Sequence, residues 1–104
     1  MISSKLKERR DQFLKKLSEC AQDAEALLVL GKSCFLSSWY REAIEAYKKC
    51  IALENRNDAA YYNLGVAYQA LGKHREARNA FLKALEINPN HGASQEALNN
   101  LAAY

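Results

Sequence analysis

The side chains with the greatest chemical reach in this chain of 104 residues are two histidines and three cysteines. A metal site or an activated nucleophile would need them grouped: ligands one helical turn apart, a Cys-x-x-Cys pair, or a thiol beside a base. None of these groupings occurs. His74 and His91 stand 17 residues apart, and neither has a cysteine or carboxylate at ligand spacing. Cys20, Cys34 and Cys50 form no Cys-x-x-Cys pair, and their odd number argues against a disulfide framework, which points to a reducing, cytoplasmic setting. Cys34 and Cys50 fall on apolar stripes and are expected to be buried as small hydrophobes, while Cys20 lies at a helix end, where it is exposed to oxidation. There is no glycine-rich phosphate loop, nucleophile elbow or paired-carboxylate motif. The expectation is a chain with no catalytic residue, no metal and no cofactor, and no enzyme activity.

Charge narrows the partners. Residues 1–20 hold six basic and three acidic groups, which accounts for the whole net charge of +3; the rest of the chain is neutral. Phosphate binding recruits about six to ten contacts, so Arg9-Arg10 and Lys15-Lys16 read as a solvated face, not a nucleic-acid site. Phe13 and Trp39 are too far apart in sequence to suggest a base-stacking platform. No run approaches the roughly 20 consecutive apolar residues of a membrane span, and the N-terminus lacks the apolar core of a signal peptide.

The elements that must position any functional side chain come from an internal repeat. Shifting the chain by 34 residues aligns 24–57 with 58–91 without a gap, and eight of the 34 pairs are identical, among them Leu30/Leu64, Gly31/Gly65 and Ala43/Ala77. Each unit holds two helical patterns, with apolar residues three and four apart: Leu27, Leu30, Cys34 and then Ala43, Tyr47, Cys50, Ile51. Tyr61, Leu64, Tyr68 and then Ala77, Phe81, Ala84, Leu85 repeat the pattern. Asp23 and Asp58 are the expected N-caps, Gly72 fits a left-handed C-cap position, and Pro89 stops the last of the four helices. Glycine inside a helix costs about 1 kcal/mol against alanine, so Gly31 and Gly65 imply a neighbouring helix too close for a Cβ, with Ala43 and Ala77 as the facing small residues.

These positions resemble the tetratricopeptide repeat, whose pattern is W-x₂-L-G-x₂-Y, then A-x₃-F, then P. In 58–91 the match is Tyr61, Leu64-Gly65, Tyr68, Ala77, Phe81 and Pro89. In 24–57 it is looser: Leu27, Leu30-Gly31, Cys34, Ala43 and Tyr47, with Asn55 in the proline place and Ser38 in place of a turn glycine, so a differently shaped turn is expected there. The resemblance implies an all-α fold of antiparallel helix-turn-helix pairs stacked as a short right-handed α-solenoid. Residues 1–22 carry a basic amphipathic stripe and 92–104 a weaker one, and both read as flanking capping helices, needed because two units alone fall short of the three or so that stabilise an array.

In this family the first helices of successive units line a concave groove. Carried over, and consistent with the positions left once the packing stripe is assigned, the groove residues are Leu28, Val29, Lys32, Phe35, Tyr62, Asn63, Val66 and Gln69. Most are apolar, which suits a peptide or helix of a protein partner; the competing expectation is that the N-terminal helix folds into the groove and covers them. Family members that hold acidic chaperone tails use a clamp of Lys and Asn. Here Asn63 fits one clamp position, but Leu28, Lys32, Ala93 and Ala97 stand at others, which argues against a chaperone-tail receptor. The leading expectation is a protein-binding adaptor or scaffold. The alternative is self-association, in which the flanking helices stack on another copy or on further repeats.

Overall fold

The computed structural model describes residues 2–102 as six helices: α1 (Ile2–Glu19), α2 (Ala24–Leu36), α3 (Tyr40–Leu53), α4 (Asp58–Ala70), α5 (His74–Ile87) and α6 (Gly92–Leu101). Met1, Ala103 and Tyr104, the outermost residues of the expected flanking segments, lie outside the described residues. The pairs α2–α3 and α4–α5 are antiparallel hairpins that stack through α3 and α4, and α6 lies on α5.

The helix starts fall at a 34-residue interval. Asp23 accepts from the Ala26 N–H at 3.2 Å and Asn57 from the Ala60 N–H at 3.0 Å. His91 Nδ1 accepts from the Ser94 N–H at 3.2 Å. Each side chain satisfies one of the backbone donors that a helix leaves unpaired at its start. The N-cap of α4 is therefore Asn57 and not Asp58. Asp58 lies in the first turn, where its carboxylate accepts from Asn88 Nδ2 at 2.9 Å and fastens the start of α4 to the end of α5.

The two intra-hairpin turns have the same shape, contrary to the expectation for the first. Ser38 has φ +63° and Gly72 φ +75°. Trp39 N–H donates to Cys34 C=O at 2.7 Å and Lys73 N–H to Tyr68 C=O at 2.9 Å. Ser38 N–H donates to Phe35 C=O and Gly72 N–H to Gln69 C=O, both at 2.9 Å. This is the Schellman arrangement. The backbone bonds and packing of the first unit hold a serine in the left-handed region that glycine adopts freely.

What excludes a Cβ at the mid-helix glycines is an aromatic ring, not a facing alanine. A Cβ on Gly31 would stand 2.4 Å from Tyr47 Cε1, and one on Gly65 2.5 Å from Phe81 Cε1. Those rings belong to a longer series. Phe13, Tyr47 and Phe81 are spaced 34 apart and are 1%, 1% and 0% exposed. By that register α1 sits where the second helix of a preceding unit would sit. Phe13 joins Leu30, Cys34, Ala43, Ile44 and Tyr47 in the largest apolar cluster. Ala77, Phe81 and Leu101 form a smaller cluster under α6, supported by Tyr62, Val66 and Leu98. The outward residues of α6, Gln95, Glu96, Asn99 and Asn100, are exposed and polar, as an end helix requires.

Candidate partner-binding cleft

Between α2 and α4 the stack opens into a cleft of about 290 Å³, lined by Lys32, Phe35, Leu36, Tyr47, Tyr62, Asn63 and Val66. The geometry follows from the repeat. Lys32, Phe35 and Leu36 lie on successive turns of α2, and Tyr62, Asn63 and Val66 on successive turns of α4. Each set flanks the stripe that its helix buries, so the two sets face each other across the groove. Tyr47 reaches the cleft from α3 because its ring passes over Gly31.

The walls are held by contacts outside the cleft. Phe35 packs on Tyr40 with ring centroids 5.2 Å apart. Tyr62 packs on Phe81 at 5.8 Å and on His91 at 5.2 Å. Asn63 Nδ2 donates to Ala59 C=O at 2.9 Å, which fixes the amide against its own helix. Lys32 is the one charged residue of the lining. Leu36 is 84% exposed, far more than any other large apolar side chain whose exposure is described. Desolvation raises the Tyr47 hydroxyl to about 12, helped by nearby Cys34, whose thiol burial pushes to about 11. Tyr47 is therefore neutral at physiological pH and adds no charge to the cleft.

Five of the eight residues expected from the sequence, Lys32, Phe35, Tyr62, Asn63 and Val66, come together here. The other three do not line this cleft. Leu28 is partly buried against the apolar clusters formed with α1 and α3. Val29 is 56% exposed but borders a separate cavity between α1 and α2, with Lys16, Glu19 and Cys20. Gln69 is partly buried near the C-terminal end of α4. Leu36 and Tyr47 line the cleft without having been expected there: Leu36 is one turn beyond Lys32 on the same face of α2, and Tyr47 was assigned to the packing stripe of α3.

None of the described side chains of α1 lines this cleft, so the competing expectation, that the N-terminal helix covers the groove, does not hold for the α2–α4 cleft, although α1 lies beside Leu28 and Val29. It docks on α2 and α3 instead. Arg9 Nε donates to Glu42 Oε2 at 3.0 Å and Arg9 Nη2 to Glu42 Oε1 at 2.5 Å, while the Arg9 guanidinium stands 4.8 Å from the Trp39 ring centroid. Arg10 makes a second two-armed pair with Glu45. Arg9 and Arg10 thus dock α1, Arg9 half-buried and Arg10 still exposed, while Lys15 and Lys16 are exposed as expected of a solvated face. The docking also brings Trp39 into the same apolar cluster as Phe13, close in space though distant in sequence. Burial alone would raise the Glu42 pKa, but hydrogen bonds from Arg9 and the charges of Arg9 and Arg10 hold it below the ordinary glutamate value.

Among the described residues no group of three or more His, Cys, Asp or Glu could hold a metal ion, and no helix is long and apolar enough to cross a membrane. Cys34 and Cys50 are buried and Cys20 is partly exposed, all three as free thiols.

Comparison with known proteins gives the same repeat. A family profile described as "Tetratricopeptide repeat" matches residues 59–91, and one described as "TPR repeat" matches 31–72. The chain is 32% identical over 97 residues to the photosystem I assembly protein Ycf3 of Synechococcus elongatus, covering 88% of this chain and 54% of that protein. The crystal structure of MamA superposes with a TM-score of 0.80 at 28% identity, over 88% of this chain and 53% of that one. The first TPR of Spaghetti (RPAP3), bound to an HSP90 peptide, superposes with a TM-score of 0.80 at 22% identity, over 97% of this chain and 80% of that one, which is a likeness of fold alone. The chain spans about half the length of Ycf3 and MamA.

Proposed function

The chain belongs to the tetratricopeptide repeat family, and we propose that it is a non-catalytic protein-interaction module, an adaptor or scaffold, that takes a peptide or helix of a partner protein in the α2–α4 cleft. The observation that carries this reading is the apolar lining of the cleft, with Leu36 exposed and Phe35, Tyr62 and Val66 half-buried at its walls, while α1 docks elsewhere. Contiguous apolar surface between two helices suits an apolar side chain of a bound segment. Lys32 at the wall favours a segment that carries a carboxylate beside that apolar anchor.

The names of the relatives agree with the general role. Ycf3 is an assembly protein, and the Spaghetti repeat was solved with a peptide bound. A chaperone tail is not the ligand proposed here. A Lys-and-Asn clamp needs cations where this chain has Leu28, Ala93 and Ala97, and Leu28 is partly buried against the core. Nor is a nucleic acid proposed, because two of the six N-terminal cations are committed to Glu42 and Glu45. The buried thiols Cys34 and Cys50 suit a reducing compartment, and we place the protein in the cytoplasm on that ground.

The test is affinity capture from a native lysate with the wild-type chain beside a Phe35→Ala, Tyr62→Ala double variant of matched helicity. Loss of a partner from the variant, regained when both residues are restored, supports the cleft. A partner retained equally by both chains rejects it.

A further inference from the structure

We infer that the seat of α1 on α2 and α3 is also an interaction surface for a second copy of this chain, filled in trans by the partner copy's α1 in a reciprocal helix exchange. Four observations support this. First, α3 lies closely against α4, and α6 against α5, whereas the backbone of α1 approaches α2 at few positions. Second, α1 is held chiefly by side chains: Arg9 on Glu42 and Trp39, Arg10 on Glu45, and Phe13 in the apolar cluster. Third, α1 joins the stack through a short turn, fastened by Cys20 N–H to Lys16 C=O and Asp23 N–H to Cys20 C=O, both at 3.0 Å. Opening this short hinge at Ala21 and Gln22 costs those turn hydrogen bonds and carries α1 away from its own seat. Fourth, Leu6 is 56% and Leu14 44% exposed, so two of the large apolar side chains of α1 add little to its hold on its own stack.

An emptied seat selects its replacement by charge and shape. It presents two carboxylates, Glu42 and Glu45, above an apolar patch that includes Leu30, Cys34 and Ile44. Glu42, 8% exposed at its side chain, demands a cation. The replacement must carry two adjacent cations with an aromatic ring one turn further along, as Arg9, Arg10 and Phe13 do. A second copy supplies that pattern at the same concentration as the seat. Exchange of identical elements conserves every contact of α1 with its seat, so its main costs are the opened turn and the entropy of pairing two chains.

The surface is separate from the cleft, and the test keeps the two apart. Two charge-reversed chains are made, one with Arg9→Glu and Arg10→Glu, the other with Glu42→Arg and Glu45→Arg. In each chain alone, α1 is repelled from every available seat. In a 1:1 mixture refolded together, each α1 finds a complementary seat only on the other chain. Light scattering should read about 11.7 kDa for each variant alone and twice that mass for the mixture. A mixture that stays at monomer mass while both chains are helical overturns the inference. In case a reversed chain does not fold, the wild-type chain is also refolded over a range of concentrations. A dimer that grows with concentration, is reduced at least tenfold by Arg9→Ala and is unchanged by the Phe35→Ala, Tyr62→Ala pair supports exchange through this seat. A wild-type chain that remains monomeric at millimolar concentration overturns it.

Discussion

Arg9 and Glu42, 33 positions apart in the chain, form a two-armed ion pair that fastens α1 to α3. The next residue, Arg10, makes the same two-armed pair with Glu45 in a different environment. Glu42 is 8% exposed at its side chain, whereas the Arg10–Glu45 pair is 45% and 41% exposed. Exposed pairs contribute about 0–1 kcal/mol, while charged hydrogen bonds to a buried partner contribute about 1.5–3 kcal/mol. Arg9→Ala should therefore destabilise the chain by about 2 kcal/mol and Arg10→Ala by under about 1 kcal/mol. Urea denaturation of the two variants measures the difference, and equal losses would show that burial of Glu42 does not set the strength of the lock.

The same pair gives the acid limb of the stability curve. Glu42 has a folded pKa below its ordinary value of 4.5, so the stabilisation it provides is fully present above that value and is lost as pH falls through the folded pKa. Asp58 contributes in the same direction, because the hydrogen bond from Asn88 outweighs its burial and lowers its pKa below 3.8. The urea midpoint should fall between neutral pH and pH 3, and Glu42→Gln should flatten that fall while lowering the midpoint at pH 7. A fall of unchanged steepness in Glu42→Gln would assign the acid limb to other carboxylates.

The hairpins were legible in the sequence because their signals are local and occur twice. Leu30-Gly31 with Tyr47 and Leu64-Gly65 with Phe81 are the same packing solution, so a 34-residue shift exposes it. The docking of α1 was not legible. A run of cations on an amphipathic helix has the same pattern whether it faces water or a carboxylate, and Glu42 has an exposed counterpart, Glu76, that nothing in the local pattern distinguishes from it. The cleft was legible in part. Periodicity marks which residues leave the packing stripe, but not which neighbouring groove they enter, so Val29 was grouped with Lys32 although α1 draws the two onto different cavities.

The mid-helix glycines make a prediction that opposes helix propensity. Glycine to alanine inside a helix is worth about 1 kcal/mol in favour of alanine. At Gly65 the new Cβ would lie 2.5, 2.7 and 2.9 Å from three ring carbons of Phe81, a ring that is fully buried. Overpacking of this kind costs about 1–3 kcal/mol or more. Gly65→Ala should therefore be net destabilising by about 1–2 kcal/mol, and Gly65→Leu should prevent folding. Combining Gly65→Ala with Phe81→Leu should cost less than the two single changes together, since the smaller side chain relieves the contact. Additive losses in thermal denaturation would place the strain elsewhere.

The first hairpin turn offers a stabilising change. Ser38 holds φ +63° at the position where the second unit has Gly72 at φ +75°. A non-glycine residue in the left-handed region is disfavoured by about 1–2 kcal/mol, and part of that penalty is offset for glycine by the greater freedom it has in the unfolded chain. Ser38 is exposed, and no side-chain hydrogen bond ties its hydroxyl to another described residue. The backbone bonds of the turn, Ser38 N–H to Phe35 C=O and Trp39 N–H to Cys34 C=O, do not depend on the side chain. Ser38→Gly should thus keep the turn and stabilise the chain by about 0.5–1 kcal/mol, raising the melting temperature by about 2–8 °C. The reverse change, Gly72→Ser, should lower it by a similar amount, although a Cβ at Gly72 meets no atom within 4 Å, because the cost lies in the backbone and not in a clash. Differential scanning calorimetry of the two variants reads both signs, and a pair of shifts in the same direction would refute the equivalence of the turns.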